Sequence, residues 1–242
     1  MSRSEARTIR IAFFTGAEDC FFEEKEIEFI WHMGISWQQR QKSSLSMHES
    51  ILQQYPNKKV IEISTKSTSY ELGRALSAFN LLLDGVPVEN TFQAAKVFND
   101  GGPYTDLFFT TPKIAKTDPR ISVDRDHPHR KLISFQYNQQ DYPIEPNSMF
   151  YDHIYIKALS ENKRLSELIC EYDVFTDIEF NQKIPYAITK GPFNCQARSI
   201  AIFVSLQRRG LLEKYLKDPF CFIDMIYAYN QPPCQGALDL MS

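Results

Sequence analysis

The sequence lacks the short motifs that identify many common enzyme classes. It contains no glycine-rich dinucleotide loop, no phosphate-binding P-loop, no nucleophile elbow of a serine hydrolase and no zinc-protease helix motif. Paired cysteines are also missing, since the cysteines are widely separated and show neither a C-x-x-C pair nor zinc-ligand spacing. We therefore expect reduced thiols, and no disulfide framework, at Cys20, Cys170, Cys195, Cys221 and Cys234.

Long apolar runs and an excess of positive charge are absent too. No apolar run approaches the ~20 residues that a membrane helix needs, and residues 1–7 lack the apolar stretch of a secretory signal. These absences predict a cytoplasmic protein without a membrane partner. The formal net charge of -3 argues against binding nucleic acid by overall attraction, although a local basic groove stays compatible with it.

The composition is that of a folded chain with a substantial core. Hydrophobic residues make up 43% of the 242 residues and aromatic residues 13%, whereas disordered chains are poor in both. The length fits one large domain, or one domain with an elaborated end. No internal repeat is visible, which argues against a repeat architecture.

The first 66 residues carry the patterns of both strands and a helix. Thr8–Phe14 and Val60–Ser64 are predicted strands, while Cys20–Trp31 is compatible with either type. Ser36 is placed to cap a helix that runs towards Tyr55, where a proline stops it. We expect residues 1–66 to form a small αβ extension packed on the main domain.

The remainder is predicted to be mainly helical. Asp84-Gly85 marks a turn between apolar runs, residues 99–103 end a helix, and residues 118–129 form a polar loop. The predicted helices are Glu89–Phe98, Glu161–Tyr172 with Ser160 as its cap, Gln196–Arg209, and one or two short helices within Leu211–Tyr229. The expected fold is α+β and predominantly helical, with a main domain over residues 67–230 and a loop-like tail over residues 231–242.

Two groups of polar residues are candidates for chemistry, and each has a simpler explanation. On a helix, Glu89, Gln93 and Lys96 share one stripe opposite the apolar residues, but such stripes are the rule for amphipathic surface helices. His127 and His129 alternate in a loop, as metal ligands can, but no third ligand is evident. A solvated loop and no metal are therefore expected there.

A run of motifs in the middle of the chain resembles the NADAR family. Leu76-Ser77-Ala78-Phe79 is similar to the family's L-S-N-F element, and Glu89-Asn90 to Lys96 is similar to its E-H-x-x-Q-A-x-K element. Thr111 to Arg120, Tyr172-Asp173-Val174-Phe175 and Asn194 to Arg209 resemble three further elements, in the family's order. The resemblance covers roughly residues 71 to 209 and implies a NADAR-like fold.

The departures from the family pattern point to one branch of it. Thr176-Asp177 replaces a W-G pair, Asn90 replaces a histidine, and the tryptophan expected between Arg120 and Phe135 is not found. These features resemble the NADAR antitoxins paired with DarT-type DNA ADP-ribosyltransferase toxins. That resemblance implies a hydrolase that removes ADP-ribose from guanine in DNA, with ADP-ribosylated DNA, ADP-ribose and the toxin as partners.

The resemblance also implies a set of site residues and no cofactor. Glu89 is expected to stabilise charge on the sugar or to activate water, and Lys96 to form a Schiff base as a second route. Asp173 is expected to hold ribose hydroxyls or to assist as an acid, and Arg74 to bind the pyrophosphate. The remaining expected substrate contacts are Ser77, Phe79, Asn80, Asn90, Gln93, Tyr172 and Asn194.

Other readings of the same residues stay open at this point. Glu89 and Lys96 are also compatible with a simple solvated pair, Asp173 with a helix cap, and Arg74 with a surface charge. The chain as a whole is also compatible with an N-glycosidase of a small phosphorylated metabolite. A module that binds ADP-ribose or the toxin without catalysis is the third alternative.

Overall fold

The computed structural model describes residues 5–17, 20–65, 71–122, 129–180 and 194–227. His127, the predicted boundary after residue 66 and the predicted tail 231–242 lie outside them. Among the described residues, 47% are helical and 22% are in strands, so the fold is a mixed α/β arrangement. No helix within these ranges is long and apolar enough to span a membrane.

The described strands form three sheets, and none of those after residue 66 is predicted from the sequence. The strands are β1 Glu5–Thr15, β2 Phe22–His32, β3 Val60–Glu62, β4 Leu82–Leu83, β5 Val86–Pro87, β6 Lys96–Phe98, β7 Leu132–Tyr137, β8 Gln140–Tyr142 and β9 Val174–Thr176. A four-stranded sheet has the order β2-β1-β9-β3, a hairpin joins β4 to β5, and a three-stranded antiparallel sheet has the order β6-β7-β8.

The helices match the sequence patterns where those patterns are periodic. Ser36 caps the first helix by accepting from the Gln39 amide, as predicted. Ser160 lies inside a helix, so its predicted role as a cap is wrong, and Asn162 caps the next helix. The helices are α1 Trp37–Gln54, α2 Glu71–Ala75, α3 Val88–Ala94, α4 Pro112–Thr117, α5 Met149–Glu161, α6 Lys163–Ile169, α7 Gln196–Arg208, α8 Leu212–Lys217 and α9 Ile223–Tyr227, with 3-10 turns at Thr105–Phe109, Pro119–Ile121 and Pro219–Phe222.

Alternation along β1 explains why the large sheet is covered on both faces. Ile11 and Phe13 point into the main core, whereas Ala12 and Phe14 point into a second cluster beneath α1. The main core also contains most of α5 and α7, so the sheet lies between α1 on one side and α5 with α7 on the other. Hydrophobic side chains on both faces are what a buried central strand requires.

The N-terminal strands share this sheet with a strand from the middle of the chain. β9 pairs antiparallel with β1 and parallel with β3. Glu62 at the end of β3 is buried, where it accepts from the Thr176 hydroxyl at 2.6 Å and from the Ile178 amide at 2.8 Å. The bonds to Glu62 hold the residues around the end of β9 beside β3. A cavity forms between the segment that follows β9 and residues 77–96.

Candidate functional site

A cavity of about 440 Å³ lies where α3, β6, the end of β9 and the start of α7 meet. Its wall combines carboxylates, lysines, amides and aromatic rings, which is the mixture expected of a site for a polar ligand. The lining residues are Ser64, Thr65, Ser77, Ala78, Phe79, Glu89, Phe92, Gln93, Lys96, Lys116, Tyr151, Asp177, Glu179, Phe180, Asn194 and Gln196.

Helix α3 is buried along its whole length, and it presents Glu89 to the cavity. The interpretation of this segment as an ordinary surface helix is therefore wrong. Glu89 is 6% exposed and accepts from Gln93 Nε2 at 2.8 Å, while its own amide donates to the Ala78 carbonyl at 2.9 Å. Hydrogen bonds thus hold both the side chain and the backbone of Glu89, and a buried carboxylate fixed in this way is preorganised for a ligand.

Lys96 reaches the same cavity from a strand and not from the helix. The predicted helix Glu89–Phe98 is too long, because α3 ends at Ala94 and Lys96 begins β6. Lys96 Nζ lies 3.4 Å from the Ile121 carbonyl and 5.2 Å from the centre of the Phe92 ring. Burial lowers the pKa of Lys96 to about 8, against the raising effect of Glu89 and together with the charge of Lys116.

Asp177 lines the cavity, whereas in the sequence it stands out only as a departure from the family pattern. Its Oδ2 accepts from Gln196 Nε2 at 2.9 Å and its Oδ1 from the Glu179 amide at 3.1 Å. Burial and the nearby Glu62 raise the pKa of Asp177 to about 8, although the bond from Gln196 opposes this. The cavity thus contains a carboxyl that keeps its proton near neutral pH.

Gln196 connects three parts of the cavity wall, a role that no local sequence pattern predicts. Its Oε1 accepts from the Ala78 amide at 2.9 Å, and its Nε2 donates to the Ile63 carbonyl at 2.6 Å as well as to Asp177. One side chain therefore fixes the 76–80 segment, the end of β3 and the Asp177 carboxyl relative to α7. Such a residue holds a site in shape without reacting itself.

Besides Gln93, three residues that are predicted to contact the substrate line the cavity, namely Ser77, Phe79 and Asn194. Ser77 is 2% exposed and accepts from the Phe79 amide at 3.4 Å, and Asn194 lies just before α7. Lys116, which was not predicted, places its ammonium 5.3 Å from the centre of the Phe79 ring. Two lysines, each beside an aromatic ring of the cavity wall, suit a ligand with both a flat ring and negative charge.

The other predicted site residues lie outside the cavity lining. Asp173 accepts from the Lys59 amide and from Arg208 Nη1, each at 3.1 Å. It therefore links the start of β3 to the end of α7. Asn90 is fully buried and donates to the Leu107 and Thr110 carbonyls at 2.8 Å, where it supports the Thr105–Phe109 turn. Arg74 and Asn80 are exposed, and Tyr172 packs against the main core. Their predicted substrate roles stay predictions.

Metal ligands and histidines contribute little to this region. In the ranges that the structure describes, no three His, Cys, Asp or Glu side chains are grouped as metal ligands. Tyr151 closes the cavity beside Glu89, and burial together with that carboxylate raises its pKa well above the usual value. The reactive groups that line the cavity include carboxyls, a phenol and two lysine amines.

We expect Gly102→Ala to disturb the site through the backbone of Lys96. Gly102 has a φ of +106°, and a Cβ there would lie 2.3 Å from the Lys96 carbonyl oxygen. The free energy of unfolding should fall by about 1–3 kcal/mol, measured by urea denaturation. Gly85→Ala is the matched control, because φ is +81° there but no atom lies within 4 Å of the added Cβ. Equal losses in the two variants would contradict the prediction.

The sequence matches a family model over residues 8–235, described as DarT1-associated NADAR antitoxin. The matched span includes every residue that lines the cavity, and it includes the N-terminal strands as well as the segment that resembles the NADAR core. No curated protein matches the chain.

Proposed function

Because the chain belongs to the family of DarT1-associated NADAR antitoxins, we propose that it hydrolyses the N-glycosidic bond between ADP-ribose and guanine in DNA. It would thereby reverse the modification made by a DarT-type toxin. The observation that carries the proposal is the convergence of Glu89, Lys96 and Asp177 on one cavity of about 440 Å³. A volume of this size lies within the range of small-ligand sites.

The bond to be broken joins the anomeric carbon of ribose to an exocyclic nitrogen of the base. Its cleavage builds positive charge on the sugar, as in glycoside hydrolysis, and leaves negative charge on the departing nitrogen. Glu89 supplies a fixed negative charge for the sugar, or the base that activates water. Asp177, with a pKa of about 8, supplies the proton that the leaving nitrogen needs.

A second route passes through Lys96. The glycosylamine opens to an imine at the anomeric carbon, and the ring oxygen takes up a proton. The neutral Lys96 amine adds to that carbon and the base leaves as its free amine, which produces a lysine Schiff base. Water then adds to the Schiff base and releases ADP-ribose and the lysine amine. The lowered pKa of Lys96, about 8, supplies the neutral amine that this route requires.

The proposal is tested with an oligonucleotide that carries one ADP-ribosylated guanine. The purified chain should release free ADP-ribose, measured by chromatography, and leave the guanine intact. Treatment with sodium borohydride during turnover should attach ADP-ribose covalently to the wild-type protein and to Lys116→Arg, but not to Lys96→Arg. Because a lower proton concentration frees the amine, the trapped yield should rise about tenfold between pH 7 and pH 9.

The outcomes separate the alternatives. Release without a trapped adduct favours the carboxylate route through Glu89. Binding of ADP-ribose without release from any substrate would replace the hydrolase with a binding module. Release only from a small phosphorylated N-glycoside would move the function to metabolite hydrolysis.

A further inference from the structure

We propose that Arg10 and Arg40, both held against the indole of Trp31, bind a backbone phosphate of the strand that carries the modified base. The inference rests on the proposed function, because it assigns the polynucleotide side of the same site. The occupant is a nucleic acid strand, and the group recognised is a phosphodiester next to the nucleotide in the cavity.

The two guanidinium groups share one aromatic ring. The central carbon of Arg10 lies 5.2 Å from the centre of the Trp31 ring, and that of Arg40 lies 4.7 Å from it. A guanidinium that is stacked on an aromatic face keeps its N–H edge free for a bidentate contact. Two such groups at one ring are therefore preorganised for the oxygens of a phosphate.

Arg10 is a buried cation that has no acidic partner among the described residues. It is 8% exposed, and its Nη1 donates to the Thr8 hydroxyl at 3.1 Å and to the Ile9 carbonyl at 3.0 Å. Its Nε is buried without a hydrogen-bond partner. Burial, and the like charge of Arg40, lower the pKa of Arg10. An anion beside both groups would relieve this repulsion and satisfy an orphaned donor.

The pair adjoins the cavity on the wall that carries Asp177. Arg40 Nε lies 3.4 Å from a carboxylate oxygen of Glu179, which lines the cavity two residues after Asp177. The side chains of Arg40 and Glu179 are 22% and 42% exposed, and ion pairs that solvent reaches contribute little free energy. A phosphate can therefore displace Glu179 from Arg40. This arrangement places the strand beside Asp177 and the ADP-ribose beside Glu89 and Lys96.

A phosphate site made of two placed arginines, Arg10 and Arg40, is also consistent with the negative net charge of the chain. With a net charge of -3, the protein has no overall attraction for a polyanion. Affinity for a strand must then come from a few placed cations, each of which adds to the salt dependence of binding. Arg10, on β1, and Arg40, on α1, are cations of this kind.

The test compares a substrate that has flanking nucleotides with one that has none. One is a DNA oligonucleotide with a single ADP-ribosylated guanine, and the other is ADP-ribosylated deoxyguanosine, which carries no flanking phosphate. Arg40→Ala should raise KM for the oligonucleotide about tenfold, with kcat unchanged, and alter kcat/KM for the nucleoside less than twofold. The slope of log KM against log salt concentration should fall by about 1 for the oligonucleotide. Arg40→Lys should restore only part of the loss.

Arg7→Ala is the control, since it removes a cation from β1 without touching Trp31. Equal losses on both substrates would overturn the inference in favour of a contact with ADP-ribose itself. Unchanged kinetics on both would overturn it in favour of a purely structural cluster. If the wild-type protein hydrolyses neither substrate, the proposed function fails, and anisotropy with an unmodified single strand still tests Arg40. Equal affinity of the wild-type and Arg40→Ala proteins would then refute the phosphate contact.

Discussion

Glu89→Gln is expected to slow release of ADP-ribose from ADP-ribosylated guanine by about 10²–10⁴-fold, the usual contribution of a general acid or base. The substitution keeps the shape of the side chain, and the new amide oxygen can still accept the bond from Gln93 Nε2. It removes the negative charge that faces the cavity. The measurement is the initial rate under saturating substrate.

The control for this prediction is a carboxylate away from the cavity. Glu213→Gln changes an exposed side chain in the first turn of α8 and should leave the rate unchanged. Both variants should unfold at the same temperature as the wild-type protein within a few degrees. A rate for Glu89→Gln within threefold of the wild-type rate would exclude Glu89 from the reaction and leave the Lys96 route.

Arg198→Met is expected to lower the free energy of unfolding by about 3–5 kcal/mol, the cost of breaking a buried ion pair by removing one partner. Arg198 Nη2 donates to Asp152 Oδ2 at 2.6 Å, and both residues are almost completely buried. The same carboxylate accepts from the hydroxyls of Ser199 at 2.7 Å and Tyr227 at 2.8 Å. Removing the arginine leaves a buried negative charge at the junction of α5, α7 and α9. Urea denaturation gives the difference.

A double variant separates the charge from the packing. Asp152→Leu with Arg198→Met should be more stable than Arg198→Met alone, because no unpaired charge is left in the core. Neither residue lines the cavity, so any folded fraction should retain hydrolysis of the nucleoside substrate. A loss for Arg198→Met below 1 kcal/mol would show that Asp152 is satisfied without the arginine.

The periodic elements were open to prediction from sequence. Thr8–Phe14 lies inside β1, Ser36 caps α1, and the helix expected over Gln196–Arg209 is found at Gln196–Arg208. These segments succeed because local alternation, a cap and a stop residue agree with the fold. Ordered motifs alone also identified the family, which the match over residues 8–235 confirms.

The strands after residue 66 could not be read from local pattern. β6 is three residues long, and it exists because Lys96 pairs with Phe135, far away in sequence. Strand pairing with this distant segment overrides the helical tendency of the last residues in the predicted helix 89–98. The same contact turns Lys96 out of the helix while keeping its amine in the cavity with Glu89.

The order of the motifs, the polar stripe of Glu89, Gln93 and Lys96, and the family all follow from the residues alone. The three-dimensional fold was needed to show that these residues are buried together, that Asp177 and Gln196 join them, and that Asp173 pairs with Arg208 outside the cavity. These features escape local patterns because the burial of a polar side chain depends on partners from distant segments. A helical pattern determines which side chains share one face of the helix. The rest of the fold determines what that face packs against.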